Sequence, residues 1–120
     1  MGTFSTTIEI GDQTGRRFVR IEAFVDTGAV FTKAPRSLLE SLNIPADRPY
    51  TAVLADGRRV PRQQGCATMR LQGQQFPTAV TFGEEGEPVL LGAMALEHAL
   101  LAVDPHGQRL VPVDALEAGG

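Results

Sequence analysis

The chain has 120 residues, a formal net charge of −3, no tryptophan and a single cysteine, Cys66. This length suits one domain with one hydrophobic core and is too short for two similar lobes. The charge balance provides no basic footprint for nucleic acid, and one cysteine excludes an intramolecular disulfide and a multi-cysteine metal site. Few aromatic residues and frequent glycine and proline favour short strands joined by turns.

Two further expectations concern location and Cys66. The sequence contains no run of eighteen apolar residues, and its N-terminus lacks the regions of a signal peptide, so a cytoplasmic protein without a membrane segment is expected. Cys66 flanks an alternating run, and free cysteine is often buried. A small buried side chain is therefore predicted at this position.

An N-terminal hairpin leads to the most informative stretch. Residues 4–10 alternate polar and apolar side chains, residues 11–15 form a turn, and residues 16–25 return as the partner strand. The second strand ends at Phe24 and Val25 and is followed directly by Asp26-Thr27-Gly28. The hairpin therefore presents a carboxyl group, a hydroxyl group and a glycine at the end of a strand.

Each residue of this triplet can have a chemical role. Asp26 follows two apolar residues, which places its carboxyl at the edge of the core. The Thr27 hydroxyl can donate and accept together, which suits the joining of a tight turn to a neighbouring chain. Gly28 permits a positive φ and close backbone approach, which leaves amide groups free to face the carboxyl. The alternative is an ordinary turn, because Asp, Thr and Gly are common in turns.

The next elements are predicted to be structural. Residues 30–34 indicate a short strand, and Pro35 suits the first turn of a helix. Leu38, Leu39 and Leu42 make one apolar face over residues 37–42, so the helix is interpreted as packing against the core.

A hairpin is predicted around Asp56-Gly57, a common two-residue turn, between residues 51–54 and 59–60. Its tip carries Arg58 and Arg59, so it should be exposed in the free protein. It is either an ordinary charged hairpin or a cover over a binding site, in which case these arginines can contact acidic substrate residues.

The C-terminal half begins with a second hairpin, over 66–71 and 76–82, and an acidic loop at 83–87, which is interpreted as a solvated surface. An apolar strand then ends in Leu90-Leu91-Gly92 and leads into a short helix. Residues 100–103 and 109–113 form a terminal hairpin around a turn at 104–107, and residues 114–120 are expected to fray.

The two histidines, His98 and His106, are interpreted as structural or exposed. They lie in a helix end and a turn, without the Cys or carboxylate spacing of a zinc site. No serine or cysteine lies on a recognisable nucleophile elbow for which either could act as the base. No metal and no cofactor are therefore expected.

The sequence resembles the retropepsin-like (retroviral-type) aspartic proteases, particularly their single-domain bacterial members. The resemblance covers about residues 6–112 and is carried by the segments 24–29, 55–58, 89–92 and 95–97. It implies a mainly β, closed barrel-like fold with one or two short helices, one lobe per chain. The domain would span residues 1–120, with its core at about 6–112 and a flexible tail at 114–120.

The resemblance also implies roles for particular residues. Asp26 would be catalytic, and Thr27 would lock two active-site loops together, in a loop that includes Gly28 and Ala29. The hairpin tip at Ala55, Asp56, Gly57 and Arg58 would be a flap over the substrate. Leu91 and Gly92 would lie in a loop packed behind the active-site strand.

A carboxyl pair hydrolyses peptides with one group ionised to activate water and one protonated to donate to the carbonyl oxygen. The chain contains one Asp-Thr-Gly triplet, so the second carboxyl is expected from another copy in a two-fold homodimer that acts on a peptide or protein. Two alternatives remain: a catalytically silent dimeric β module that binds peptides or acts in assembly, and an unrelated small β-barrel binder in which Asp26 is a turn residue.

Overall fold

The computed structural model describes residues 4–104, 106–115 and 117. Within these residues the chain forms nine strands and two short helices. The N-terminal half contains β1 (Ser5–Gly11), β2 (Phe18–Val25), β3 (Thr32–Pro35), α1 (Arg36–Ser41) and β4 (Arg48–Val53). The C-terminal half contains β5 (Arg59–Leu71), β6 (Gln74–Gly83), β7 (Leu90–Leu91), α2 (Ala93–His98), β8 (Leu101–Asp104) and β9 (Arg109–Pro112).

Seven strands form one sheet in the order β1-β2-β7-β3-β6-β5-β4, and β8 pairs with β9 in a small second sheet. An additional antiparallel pairing joins β1 to β5, so the pairings lead from β1 round to β5 and back to β1. This arrangement is barrel-like, with β4 attached outside the ring. The two-residue strand β7 lies between β2, to which it is parallel, and β3, to which it is antiparallel.

The core fills the inside of this ring. It is formed by apolar side chains that alternate along the strands, together with one face of each helix. Fully buried members include Ile8, Ile10, Leu39, Met69, Leu91 and Phe82. Helix α1 buries Leu39, and Leu42 immediately after it is also buried, as the predicted apolar face requires.

Most predicted strands occur, with different limits. The strand predicted at 30–34 begins only at Thr32 and includes Pro35, which immediately precedes α1. Strand β4 begins at Arg48, three residues before the predicted start. Strand β5 is continuous over thirteen residues, where two separate strands were predicted. In its middle, Gln64 pairs with both β4 and β6, and Gly65, a residue of poor strand propensity, pairs with β6.

The prediction of a buried Cys66 is wrong, because its side chain is exposed. Ala67, Met69 and Leu71 turn towards the core along β5. Since successive side chains point to opposite faces of a strand, Cys66 lies on the outer face.

Some predictions concern residues outside the described part of the chain. The tail predicted at 114–120 lies mostly there, and so does residue 105 of the turn predicted at 104–107. Within the described residues, no helix is long and apolar enough to span a membrane.

Candidate active site

The Asp26 loop is fixed by backbone hydrogen bonds at the end of β2. The Asp26 amide donates to the Leu91 carbonyl at 3.0 Å, which extends the β2–β7 pairing by one bond. The Ala29 amide donates to the Asp26 carbonyl at 3.1 Å and closes a turn. The backbone of Asp26 is therefore held on both sides, and its half-buried carboxyl projects from a fixed position.

Gly28 orients this carboxyl. Its amide donates to Asp26 Oδ1 at 3.0 Å, and a Cβ atom at Gly28 would lie 3.3 Å from the same oxygen. The role of this glycine is therefore close approach. The positive φ expected at Gly28 is not found, since the positive-φ glycines of the described chain are Gly15, Gly57, Gly73 and Gly86. Thr27 is exposed.

The loop after β7 packs against the Asp26 loop. The Ala93 amide donates to the Ala29 carbonyl at 2.7 Å, and the Met94 amide donates to the Val30 carbonyl at 3.0 Å. These bonds attach the start of α2 directly to the residues that follow the Asp-Thr-Gly triplet. The loop that contains Asp26 is thus bonded to a second loop, and this support fixes the position of the Asp26 side chain.

Gly92 makes this contact possible. A Cβ atom there would lie 2.5 Å from the carbonyl carbon of Phe31, which is closer than real Cβ contacts. The Gly92 amide donates to the buried Thr32 hydroxyl at 3.1 Å. Leu91, the preceding residue, is fully buried. The structure therefore brings Leu91 and Gly92 to the back of the Asp26 loop.

The hairpin between β4 and β5, which we call the flap, has a longer turn than predicted. Leu54 and Arg58 are paired by a 2.8 Å hydrogen bond, and the Gly57 amide donates to the Leu54 carbonyl at 2.9 Å. The loop thus has three residues, Ala55 to Gly57, where a two-residue turn was predicted. Gly57 has a φ of +89°, as expected for the glycine that ends a three-residue hairpin loop.

The tip of the flap is exposed and has its own ion pair. Arg58 Nε donates to Asp56 Oδ2 at 2.7 Å, and the Arg58 amide donates to Asp56 Oδ1 at 3.0 Å. These bonds lower the pKa of the Asp56 carboxyl from its ordinary value, the backbone amide contributing most. The flap tip is therefore held mainly by contacts within itself.

A cleft of about 670 Å³ separates the Asp26 loop from the flap. Asp26, Gly28 and Ala29 form one side, and Ala55 and the preceding residues of β4 form the other. Asp56, Gly57 and Arg58 are not part of its lining. The structure thus brings Asp26, Gly28, Ala29 and Ala55 to one cleft and leaves Asp56, Gly57 and Arg58 outside it.

Other residues of the cleft were not found from the sequence. Tyr50 and Thr81 share a 2.6 Å hydrogen bond between their hydroxyl groups, and Lys33 and Arg62 also line the cleft. These four residues lie on four different strands, β3 to β6, and no local motif connects them. Only the observed strand pairing brings them together.

The acidic loop is not only a solvated surface, as the sequence predicted, because Glu87 is bonded to a residue of the cleft. Its carboxylate accepts two 2.8 Å hydrogen bonds from Arg62, whose side chain is only 8% exposed. The hydrogen bonds from Arg62 lower the pKa of Glu87 to about 2, against the opposing effect of burial. The same bonds raise the pKa of Arg62. Glu87 thus connects the acidic loop to the flap strand β5.

Within the described residues, no group of three or more His, Cys, Asp or Glu side chains is arranged to hold a metal ion. Asp26 is also the only carboxylate that lines the cleft in that part of the chain. Any acid–base chemistry in the cleft of one chain would therefore depend on one carboxyl group.

Comparison with known proteins identifies the family. The family model described as aspartyl protease matches residues 6–95. No curated protein matches the chain. The chain therefore belongs to the aspartyl protease family, in agreement with the resemblance stated from its motifs.

Solved structures confirm the retropepsin-like fold. EIAV protease, complexed with the inhibitor HBY-793, is 18% identical with a TM-score of 0.59, over 82% of this chain and 88% of that one. Simian foamy virus (mac) protease is 18% identical with a TM-score of 0.56, over 78% and 91%. A retropepsin-like aspartic protease from Rickettsia conorii is 18% identical with a TM-score of 0.51, over 87% and 89%. At these identities the likeness establishes the fold.

Proposed function

We propose that this protein is an aspartic endopeptidase whose catalytic dyad consists of Asp26 from each of two subunits. The observation that carries the proposal is the half-buried Asp26 carboxyl, held by the Gly28 amide and facing a cleft on the flap side. Family membership and the retropepsin-like fold support the same activity. Thr27, Gly28 and Ala29 would form the active-site loop, and the flap would contact the substrate.

The chemistry requires two carboxyl groups that share one proton. The ionised carboxylate takes a proton from water as the water oxygen attacks the peptide carbonyl carbon. The protonated carboxyl donates its proton to the carbonyl oxygen, which gives a tetrahedral diol. Collapse of the diol breaks the C–N bond, and a proton passes to the leaving amine. Because the described residues of one chain bring only Asp26 to the cleft, the proposed dyad requires its second carboxyl group from a partner chain.

Apolar exposure around the Asp26 loop supports association with a second copy. Phe24, Val30 and Met94 are 45%, 57% and 50% exposed. Val30 and Met94 are neighbours through a backbone hydrogen bond, and Phe24 is two residues before Asp26. Exposed apolar side chains close to each other are typical of interaction surfaces, and a two-fold axis would pair this surface with itself. The exposed Thr27 would then contact the partner's active-site loop.

A catalytically silent module that binds peptides is the second candidate. It is favoured by the flap tip, in which Arg58 is bound to Asp56, and Asp56, Gly57 and Arg58 do not line the cleft. In such a protein the cleft would hold an extended peptide and Asp26 would have no chemical role. The two candidates differ in the expected effect of Asp26→Asn: it should abolish cleavage by a peptidase and leave peptide binding by a silent module unchanged.

The deciding experiment is digestion of a diverse peptide mixture from acidic to neutral pH, with products identified by mass spectrometry. Wild type should cleave, and Asp26→Asn should lose activity by a factor on the order of 10³, because the amide cannot transfer the proton. Asp47→Asn is the matched control, since Asp47 is exposed and outside the cleft, and it should cleave like wild type. Sedimentation in the same buffers has to show a dimer. A dimeric wild type without products, or an active Asp26→Asn variant, would refute the peptidase.

A further inference from the structure

Two cations lie on the wall of the cleft that contains Asp26. Lys33 belongs to β3 and Arg62 to β5, and both line the cleft. Their side chains are only 14% and 8% exposed. Burial of charge is costly unless the charge is paired, so the partners of these cations decide what the cleft can bind.

Arg62 is already paired. Its two terminal nitrogens donate to the two oxygens of Glu87 at 2.8 Å each, a bidentate geometry. Glu87 Oε1 also accepts the Glu84 amide at 2.7 Å. The carboxylate of Glu87 is thus largely used by Arg62 and by its own loop. Two positive groups share this one negative group, which leaves the cluster of Lys33, Arg62 and Glu87 with one excess positive charge.

Lys33 carries this excess. Its Nζ atom forms an ion pair with Glu87 Oε2 at 3.8 Å, which is too long for a hydrogen bond. Its stem is fixed, because a Cβ atom at Gly83 would lie 3.0 Å from Lys33 Cγ and 3.2 Å from Cδ. The missing side chain at Gly83 leaves the space that this stem occupies. The Lys33 ammonium is therefore held at the cleft with donors available for a ligand.

The surrounding wall strengthens an interaction with Lys33. Phe31 and Leu90 are apolar lining residues, and Tyr50 packs edge-on against Phe31 with ring centroids 5.4 Å apart. The Tyr50 hydroxyl is engaged by Thr81. Charge interactions are stronger where apolar walls exclude water. A carboxylate that enters this part of the cleft would meet one available cation in an apolar setting.

Strand order gives the distance from Lys33 to the reacting group. Lys33 pairs with Leu90 of β7, and Leu90 pairs with Phe24 of β2, two residues before Asp26. Lys33 is thus two strand spacings, or about 10 Å, from Phe24 in β2, and Asp26 lies two residues, about 7 Å, further along the chain. The backbone positions of Lys33 and Asp26 are therefore about 12 Å apart, which an extended peptide covers in about three or four residues.

We propose that Lys33 is a specificity residue that selects substrates with an Asp or Glu side chain within about three residues of the scissile bond. The inference rests on the proposed peptidase function and adds a substrate class to it. The arginines of the flap tip are weaker candidates, because Arg58 is bound to Asp56 and is 70% exposed, and Arg59 is exposed as well.

The test uses peptide pairs that differ only by Glu or Gln at each position of one short peptide, including every position within three residues of the bond that wild type cleaves. All peptides have amidated C-termini, and one additional Gln peptide has a free carboxyl terminus. The values of kcat/KM are measured for wild type, for Lys33→Met, which keeps the stem without the charge, and for Arg59→Gln as the exposed control. Dissociation constants for the same peptides, measured with Asp26→Asn and with the double variant Asp26→Asn/Lys33→Met, give a readout independent of cleavage.

At one position wild type should prefer Glu over Gln by a factor on the order of ten, the strength of a hydrogen bond between charged groups. Lys33→Met should reduce this ratio to about one, whereas Arg59→Gln should keep the preference. No preference in wild type, or a preference that survives Lys33→Met, would overturn the inference. If the Gln peptide with a free carboxyl terminus has the same kcat/KM as the Glu peptide, the group that Lys33 recognises is a terminal carboxylate. This result would also overturn the inference of an acidic side chain.

The binding arm separates the two proposals. If no peptide is cleaved but Asp26→Asn binds the Glu peptide more tightly through Lys33, the peptidase proposal fails and the selectivity of the cleft stands. If peptides are cleaved without acidic preference, only the selectivity fails.

Discussion

The Asp26 loop and the flap lie on opposite sides of one cleft, and the loop and the flap tip are stabilised in different ways. Asp26 is held by backbone hydrogen bonds to β7, and the residues after it are bonded to the start of α2. The flap tip is exposed, and its polar contacts lie within the turn itself, from Arg58 to Asp56. Reactive groups need fixed positions, whereas covers have to open, and exposed segments with few buried contacts open most easily. The hydrogen bonds of the two regions agree with the different tasks that the proposed function gives them.

Between these regions lies the ion pair of Arg62 and Glu87. Arg62 is at the base of the flap, in β5, and Glu87 is in the loop before β7. This pair connects the flap strand to the segment that supports Asp26. Three regions can therefore be compared: the packed Asp26 loop, the ion pair that connects it to the flap strand, and the exposed flap tip.

The largest effect is expected in the packed loop, for Gly92→Ala. The new Cβ would meet the Phe31 backbone at 2.5 Å, and the backbone of two joined loops would have to separate. We expect a loss of about 3 kcal/mol in the free energy of unfolding, and a loss of any peptidase activity. Urea unfolding at fixed protein concentration measures the first quantity. A variant as stable as wild type would show that the Asp26 loop is less tightly packed than the contact distances indicate.

An intermediate effect is expected at the charged connection, as a dependence of stability on pH. The folded pKa of Glu87, about 2, is below its ordinary value of 4.5. In the interval between these values the unfolded chain binds more protons, so stability rises with pH. The contribution of this carboxylate should be complete above about pH 5, and it should be lost as the pH falls towards 2.

The measurement is the unfolding free energy of wild type and Glu87→Gln as a function of pH. The difference between the two should be largest at neutral pH and should shrink below the ordinary pKa of the carboxyl. Asp114→Asn, at an exposed position away from the pair, is the control and should follow wild type. A difference that does not change between pH 2 and 6 would contradict the assigned ion pair.

The smallest effect is expected at the flap tip, for Gly57→Ala. No atom lies within 4 Å of a Cβ at this position, so the cost comes only from a φ of +89°. We expect about 1–2 kcal/mol, expressed mainly as a change in the flap conformation. Hydrogen exchange of the tip amides should change while the amide of Asp26 stays protected. An equal change at Asp26 would show that the flap and the active-site loop do not behave independently.

The sequence allowed most of the framework to be predicted because its signals are local. Alternation in 4–10 and 16–25 indicated the first hairpin, and the apolar face of Leu38, Leu39 and Leu42 indicated α1. The family was identified from Asp26-Thr27-Gly28 together with Leu90-Leu91-Gly92, and the aspartyl protease match confirms it.

The rest of the site depends on contacts between distant residues. Arg62 and Glu87 are 25 positions apart, and neither has a local pattern that names its partner. The exposed side chain of Cys66 depends on which face of β5 turns to the core, and the flap turn gained a residue because Leu54 pairs with Arg58. Register and pairing decide all three features, and they are properties of the assembled sheet.

Among the described residues, Asp26 is the only carboxylate that lines the cleft. The activity per chain should therefore depend on how many chains are paired. Under the proposed dyad, a solution of separated chains contains complete folds and no complete site. The fraction of working sites then rises with total concentration and reaches its limit only above the dissociation constant of the pair. Dilution would dissociate the dimers and abolish activity, and the rate per chain would rise with the local concentration of the protein.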